Sequence, residues 1–149
     1  MTEVRLAGDD DLDALVALRV AWVEERRGPA PDPSFPERFR AWYEREAHQR
    51  TFWLAVDDAG AIGMINLLTF ERMPGPGADA GRWGYLGNMY VRPEQRDRGV
   101  GRRLLGALIA HADDHGFERI VLSPTERSIP FYRRVGFGAA DTLLLRPRP

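Results

Sequence analysis

The sequence predicts a mixed α/β domain. Segments rich in aromatic and β-branched residues, which are typical of strands, alternate with segments whose apolar residues recur at the helical period. The chain has 149 residues, of which 44% are hydrophobic and 29% charged, and this is ordinary usage for a globular protein with one core. No internal repeat or shift of composition divides it, so we expect a single domain over residues 1–149.

The first half is predicted to contain a strand, two helices and a hairpin. After a strand over Val4 to Ala7, the acidic cluster Asp9 to Asp11 favours a helix start, because carboxylates stabilise the positive end of a helix. That helix is expected to end at Gly28. The other elements are a proline-rich loop over Gly28 to Pro36, a helix over Glu37 to His48, and hairpin strands over Thr51 to Val56 and Ala61 to Phe70.

The second half is predicted to alternate strands with helices. A loop rich in glycine and proline, Met73 to Arg82, precedes a strand over Trp83 to Val91, which Pro93 ends because proline has no amide to donate. The elements that follow are a helix ending at Gly116, a strand over Glu118 to Leu122, a short helix around Tyr132, and a last strand pair over Phe137 to Arg146.

The turn between the Trp83 strand and the next helix has the composition of a phosphate site. Gly99 and Gly101 lack a Cβ, so a ligand can approach the main chain. Free amides in the first turn of a helix, at the positive end of its dipole, stabilise an anion. Arginines add charge and forked donors: Arg96, Arg98, Arg102 and Arg103. The turn therefore predicts a pyrophosphate-binding site.

Several nucleotide-dependent classes are excluded by what the chain lacks. The turn does not follow the GxGxxG pattern, and no acidic residue ends a second strand at the distance that a ribose clamp requires. The chain has no lysine, which excludes a Walker loop and any enzyme that forms a lysine Schiff base. It also has no cysteine, and therefore no disulfide, thiolate nucleophile or sulfur-ligated metal.

The turn resembles the acetyl-CoA binding motif of GNAT superfamily N-acetyltransferases. The family's pattern is Arg or Gln, two residues, Gly, one residue, and Gly or Ala, which corresponds to Arg96, Gly99 and Gly101. Further along, SIPFYRRVGF resembles the family's second motif, a short helix that ends in a tyrosine, followed after three residues by Gly-Phe, here Tyr132, Gly136 and Phe137. The chain departs from the family at Thr125 and Ser128, where asparagine and alanine are common.

The resemblance implies a fold, a reaction and a set of contacts. The fold would be a central mixed β-sheet flanked by helices, with two parallel strands that splay apart around the cofactor. The activity would be transfer of an acetyl group from acetyl-CoA to a primary amine, by direct attack in a ternary complex. The implied cofactor-binding residues are Met89, Tyr90, Val91, Arg96, Asp97, Arg98, Gly99, Val100, Gly101, Arg102, Thr125 and Ser128.

The resemblance also implies catalytic roles for two residues. Tyr132 lies where the family has its general acid, and a phenol with an ordinary pKa near 10 is protonated at neutral pH. The general base is less defined, because Glu126, Asn88, Tyr85, Glu24 and Glu25 are all candidates and water can accept the proton instead; Glu126 is our prediction. We expect no metal, since His111 and His115 are explained by the negative end of their helix.

The expected partner is a small-molecule amine rather than a protein amine, and a homodimer is compatible with the resemblance. The pI near 6.3 and the lack of a basic recognition helix argue against nucleic acid. No apolar run approaches a membrane span, and the absence of cysteine suits a cytoplasmic protein. Two alternatives stay open: a regulatory module that binds acetyl-CoA without turnover, and an interaction domain built on the basic turn.

Overall fold

The computed structural model describes residues 1–149. Four α-helices flank a five-stranded sheet, and short 3-10 helices lie at Asp9–Asp11, Pro93–Gln95 and Glu126–Ser128. The strands are β1 Glu3–Leu6, β2 Arg50–Asp57, β3 Gly60–Glu71, β4 Arg82–Val91 and β5 Phe117–Val121. The helices are α1 Leu12–Arg27, α2 Phe35–Glu46, α3 Val100–Asp114 and α4 Ile129–Arg133.

The strands lie in the sheet in chain order, β1-β2-β3-β4-β5. The first three pairings are antiparallel, and β4 and β5 are parallel because α3 connects them as a crossover. The sheet is therefore mixed and flanked by helices, which confirms the predicted fold class. None of the helices is long and apolar enough to span a bilayer.

The core consists of two clusters, one on each face of the sheet. Alternate residues of β2 point to opposite faces, so Trp53 packs towards α3 while Phe52 packs towards α1 and α2. On the α3 face, Leu104, Leu105 and Leu108 are fully buried, as the helical period of the sequence predicts. On the other face, Leu15 and Leu18 of α1 are buried in the same way.

The second helix begins two residues earlier than predicted. It starts at Phe35 and contains Pro36 in its first turn, whereas the sequence analysis assigned Pro36 to the loop. Proline is favoured at this position, because the amide it lacks would have no acceptor inside the helix and its φ is already helical. The other predicted strands and helices up to Tyr132 are confirmed to within one to three residues at each end.

The predicted strand pair over Phe137 to Arg146 is wrong. No strand follows α4, and the side chains of Leu144 and Leu145 are 101% and 90% exposed. Of the three successive leucines at 143–145, Leu143 alone is partly buried, so the segment lays no continuous apolar face on the core. A strand without a buried face gains little from pairing.

The difference between core and tail leucines can be measured. We expect Leu104→Ala to lower the free energy of unfolding by about 2–5 kcal/mol, because it leaves a cavity in the α3 core. Leu145→Ala deletes the same atoms from an exposed side chain and should change stability by less than about 0.5 kcal/mol. Urea unfolding of both variants is the test. A large loss of unfolding free energy for Leu145→Ala would show that this side chain is packed, as the predicted C-terminal strand requires.

Candidate active site

Strands β4 and β5 pair over only part of their length. Arg82 to Tyr85 are in register with residues of β5, and the pairing stops there although β4 continues to Val91. From Leu86 onward, the edge of β4 that faces away from β3 has no strand partner. This edge lines a cleft of about 660 Å³, whose opposite wall is the segment from Leu122 to Tyr132. Main-chain groups along this part of β4 are thus available to a ligand.

A β-bulge at Asn88 changes the direction of the side chains within β4. Leu86 packs in the α3 cluster, whereas Tyr90, four residues later, packs in the α1 cluster. In a regular strand these two residues would share a face. They do not, because Gly87 and Tyr90 on β4 pair with Asn66 and Met64 on β3, so β4 has one extra residue. Asn88 absorbs it with a φ of 52°, a conformation that asparagine tolerates better than most residues.

The bulge is held by a buried amide. Asn66 is 2% exposed, and its Nδ2 donates to Asn88 Oδ1 at 2.9 Å and to the Gly87 carbonyl at 3.2 Å. Its Oδ1 accepts a hydrogen bond from Arg50 at 2.9 Å, and Arg50 is in turn paired with Glu46. Both polar atoms of the Asn66 side chain have partners: Nδ2 binds residues of β4, and Oδ1 binds Arg50 of β2. This network fixes the geometry of the bulge.

The phosphate turn, defined here as Asp97 to Arg102, presents a run of unpaired amides. None of these amides donates to a main-chain or side-chain acceptor within the protein, and the first bond of α3 runs from the Arg103 amide to the Gly99 carbonyl. Asp97 and Gly99 have φ values of 58° and 80°. Left-handed residues of this kind turn successive amides towards one point, which forms an anion-binding concavity at the N-terminus of a helix.

A cavity of about 600 Å³ opens on the phosphate turn. Arg102 lines it from the turn and Arg134 from the end of α4. Nothing lies within 4 Å of the position that a Cβ on Gly99 would take, so the space above this residue is open. Arg98 is exposed and does not line this cavity, in contrast to its neighbours Asp97 and Gly99.

The side chain of Arg96 lines both the cleft and the turn cavity, but its donors bind within the protein. Its two terminal nitrogens donate to both carboxylate oxygens of Glu25 at 2.7 and 2.8 Å, and its Nε donates to the Val91 carbonyl at 2.9 Å. The guanidinium also lies 5.6 Å from the centroid of the Tyr90 ring. The hydrogen bonds from Arg96 hold the pKa of Glu25 below its usual range. Arg96 therefore ties α1 to the end of β4.

Tyr132 lies on α4 and lines the cleft. It is 8% exposed, and its hydroxyl donates to the sulfur of Met89 on the unpaired edge of β4 at 3.5 Å. Burial raises the pKa of Tyr132, so the phenol keeps its proton at neutral pH. Gly101 lies beside this pair, and a Cβ there would lie 2.8 Å from the Met89 methyl carbon, so the methionine side chain would have to shift.

The segment before α4 contributes hydroxyls but no carboxylate to the cleft. Thr125 and Ser128 line the cleft, and their hydroxyls are joined by a hydrogen bond of 3.0 Å. Glu126, between them, is exposed and does not line it. The 3-10 turn directs this carboxylate away, and sequence spacing alone does not show that direction.

Most of the predicted site residues thus come together around two adjoining spaces. The residues that line the cleft or the turn cavity are Met89, Tyr90, Val91, Arg96, Asp97, Gly99, Val100, Gly101, Arg102, Thr125, Ser128 and Tyr132. Arg98 and Glu126 line neither. His111 and His115 stack with ring centroids 4.0 Å apart, and no cluster of three or more metal-binding side chains accompanies them.

Sequence reasoning missed two residues. Arg134 lies two residues after Tyr132 in the second motif and lines the turn cavity. A basic residue so close to the predicted acid could have indicated a contact with the phosphates. Asn66 is an amide inside the apolar strand sequence AIGMINLLTF, where an unpaired polar group would be costly. A polar residue at such a position indicates a specific hydrogen-bonding duty.

The left-handed conformation of Gly99 gives a prediction with a matched control. Gly99→Ala places a Cβ on a residue with φ of 80°, and we expect it to lower the free energy of unfolding by about 1 kcal/mol. Gly106→Ala lies in the exposed middle of α3 and should raise stability by about 0.5–1 kcal/mol. Denaturant unfolding compares the two, and equal effects would mean that Gly99 is not held in the left-handed region.

Three comparisons with known proteins agree with this architecture. Residues 15–137 match the model of the acetyltransferase (GNAT) family. A segment of 58 residues is 32% identical to a glucosamine 6-phosphate N-acetyltransferase of Trypanosoma brucei brucei. That segment covers 39% of this chain and 40% of the relative, so the match spans less than half of either protein.

Solved structures match over nearly the whole chain. A predicted acetyltransferase from Clostridium acetobutylicum, crystallised with acetyl-CoA, superposes with a TM-score of 0.78 at 23% identity, covering 99% of this chain and 96% of that one. A GCN5-related N-acetyltransferase from Ralstonia eutropha JMP134 superposes with a TM-score of 0.75 at 27% identity, covering 99% of both chains. With the family model matched from α1 to Phe137, the chain belongs to the acetyltransferase (GNAT) family.

Proposed function

We propose that the protein transfers an acetyl group from acetyl-CoA to the primary amine of a small molecule, within a ternary complex. The observation that carries this proposal is the presence of two segments with unpaired main chain in one site. The open edge of β4 and the phosphate turn are joined by the 3-10 turn Pro93–Gln95, and together they offer an extended ligand a groove that ends in an anion site. Coenzyme A has that shape and charge.

The two spaces fit the two chemically different parts of acetyl-CoA. The amides of Asp97 to Arg102, with Arg102 and Arg134 nearby, suit a diphosphate. The cleft beside Leu86 to Val91 suits the amide-bearing pantetheine arm, which can add hydrogen bonds to the unpaired strand edge. When bound, acetyl-CoA supplies the thioester, and the chain supplies position and polarity.

Tyr132 is proposed to protonate the departing sulfur. Its hydroxyl already points at a sulfur atom, that of Met89, on the edge of β4 that faces the cleft. Burial raises the pKa of Tyr132, so the phenol is protonated at neutral pH and can donate a hydrogen bond, and then its proton, to the negative charge that develops on the departing sulfur. The phenol would return to its protonated form from solvent after the thiol leaves.

We assign the removal of the amine proton to water. The exposed position of Glu126 offers no support for its role as a base. Glu25 lies in the cleft, but its pKa is lowered by Arg96, and a carboxylate stabilised in this way is a weak base. An acceptor that binds as the free amine needs no protein base before it attacks the carbonyl.

The proposal is tested by binding and turnover together. We expect calorimetry to detect acetyl-CoA binding and a thiol-release assay with a panel of amines to show acceptor-dependent turnover. Absence of binding by folded protein would overturn the proposal. Binding without turnover of any amine would favour a regulatory module instead.

The role of Tyr132 has its own test. Tyr132→Phe should lower kcat by at least about tenfold, because a general acid contributes about 10²- to 10⁴-fold, and should leave the KM for acetyl-CoA nearly unchanged. Tyr43→Phe removes the same hydroxyl from a buried tyrosine outside the cleft and should keep wild-type kcat. An unchanged kcat in Tyr132→Phe would show that the phenol is only a packing group.

A further inference from the structure

A second cavity lies on the opposite side of the bulge from the cleft. It has a volume of about 570 Å³, which is in the range of small-molecule sites, and it is enclosed by α1, α2 and the faces of β2 to β4. Asn88 lines both this cavity and the cleft, so the two spaces adjoin at the bulge. A molecule held here would have one end at Asn88, next to the part of β4 proposed above to bind the pantetheine arm.

One wall of this cavity is aromatic. The rings of Phe39 and Trp42 have centroids 5.4 Å apart, and Trp42 continues to Phe52 on the sheet at 6.1 Å. Phe35 extends the row at the outer end, 5.9 Å from Phe39. Trp42 and Phe39 are only partly buried, so their faces are available to a ligand. An apolar or aromatic body fits against such a wall.

The charged residues of the lining are all arginines. Arg19, Arg38 and Arg45 line the cavity, and no acidic residue does. Arg38 is paired with Asp32, but neither Arg19 nor Arg45 has a carboxylate within 4.0 Å. The cavity therefore has positive charge that the protein itself does not neutralise.

Arg19 is the least compensated of these cations. It is half-buried on α1, its guanidinium makes no hydrogen bond or ion pair within the protein, and its guanidinium carbon lies 4.8 Å from the centroid of the Trp22 ring. Burial and the repulsion of Arg26 and Arg27 lower the pKa of Arg19. The guanidinium nitrogens of Arg19 are not fully buried, so a carboxylate or phosphate in the cavity can reach them and accept their forked donors.

We propose that this cavity binds the acceptor, and that the acceptor is a primary amine with an apolar body and an anionic group, a carboxylate or a phosphate, that binds Arg19. This inference rests on the proposed function, since it names the substrate class of the same site. The amine end would lie at Asn88 and the anionic end at Arg19, with the body along Trp42. A polyamine or aminoglycoside would instead bring cations against three arginines.

Matched pairs of amines that differ in one charge test the class. 4-(Aminomethyl)benzoate is compared with 4-(aminomethyl)benzamide, and tyramine O-phosphate with tyramine, with spermidine as the cationic probe; in each pair the amine and the varied group lie at opposite ends of an aromatic body. We expect kcat/KM to be at least about tenfold higher for the anionic member of at least one pair, as a charge-assisted hydrogen bond would give. The pair that shows the larger ratio distinguishes carboxylate from phosphate. Ratios below about threefold in both pairs, or a preference for spermidine, would overturn the inference.

Variants then locate the charge recognition. Arg19→Gln should bring the anionic preference to within about threefold while leaving acetyl-CoA affinity unchanged, and Arg19→Lys should keep part of it. Arg40→Gln removes an exposed arginine of α2 that lines none of the described cavities and should behave as wild type. An anionic preference that persists in folded Arg19→Gln would overturn the assignment of Arg19.

The outcome separates this inference from the proposed function. If acetyl-CoA does not bind, the transferase proposal fails, and calorimetry of the same amine pairs with the protein alone still decides whether the cavity prefers anionic amines. If acetyl-CoA binds but no amine turns over, the pairs are compared as ligands of the CoA-loaded protein. Equal affinity within each pair would overturn the anionic assignment, and tighter binding of the anionic member supports it.

Discussion

The structure depends on the point at which β4 and β5 part. Parallel pairing holds the two strands together as far as Tyr85 and Val121, and beyond it β4 continues along the cleft paired with β3 on one edge only. Unpaired main-chain groups are costly when buried and away from water, so such an edge persists where solvent or a ligand reaches it. The cleft follows from this separation, and the bulge and the phosphate turn lie along and after the strand segment that lines it.

The bulge at Asn88 links the sheet to the ligand spaces on both sides. Because of the bulge, Leu86 packs in the α3 core and Tyr90 in the α1 core. The part of β4 that lines the cleft is therefore fixed at both ends. Asn66 then fixes the middle through Asn88. A site whose main chain is held at three points is preorganised, and less free energy is lost when a ligand orders it.

The phosphate turn and the cavity beyond the bulge offer a ligand different chemistry. The phosphate turn depends on main-chain amides, with arginines beside it as additional charge. The cavity beyond the bulge depends on side chains, namely the aromatic row of α2 and an unpaired Arg19. Main-chain recognition suits a donor of fixed structure, whereas side-chain recognition can change with the acceptor while the fold is kept.

How far the sequence predicts this site depends on how local each feature is. The phosphate turn and the Tyr132 helix are specified by residues a few positions apart, so their patterns are legible in the chain. The ion pair of Arg96 with Glu25 joins residues 71 positions apart, and the Asn66 contact to Asn88 crosses two strands. Such contacts depend on tertiary register. The mistaken C-terminal strands show the converse, because an apolar run predicts a strand only where a face is buried.

Amide hydrogen exchange in the presence and absence of coenzyme A tests the central claim most directly, since unpaired amides exchange fast in the free protein. We predict that saturating coenzyme A slows exchange at Asp97 to Arg102 and along Leu86 to Val91, and leaves the paired amides of β2 unchanged. Unaltered exchange at both segments, with binding established by calorimetry, would contradict main-chain recognition of the coenzyme.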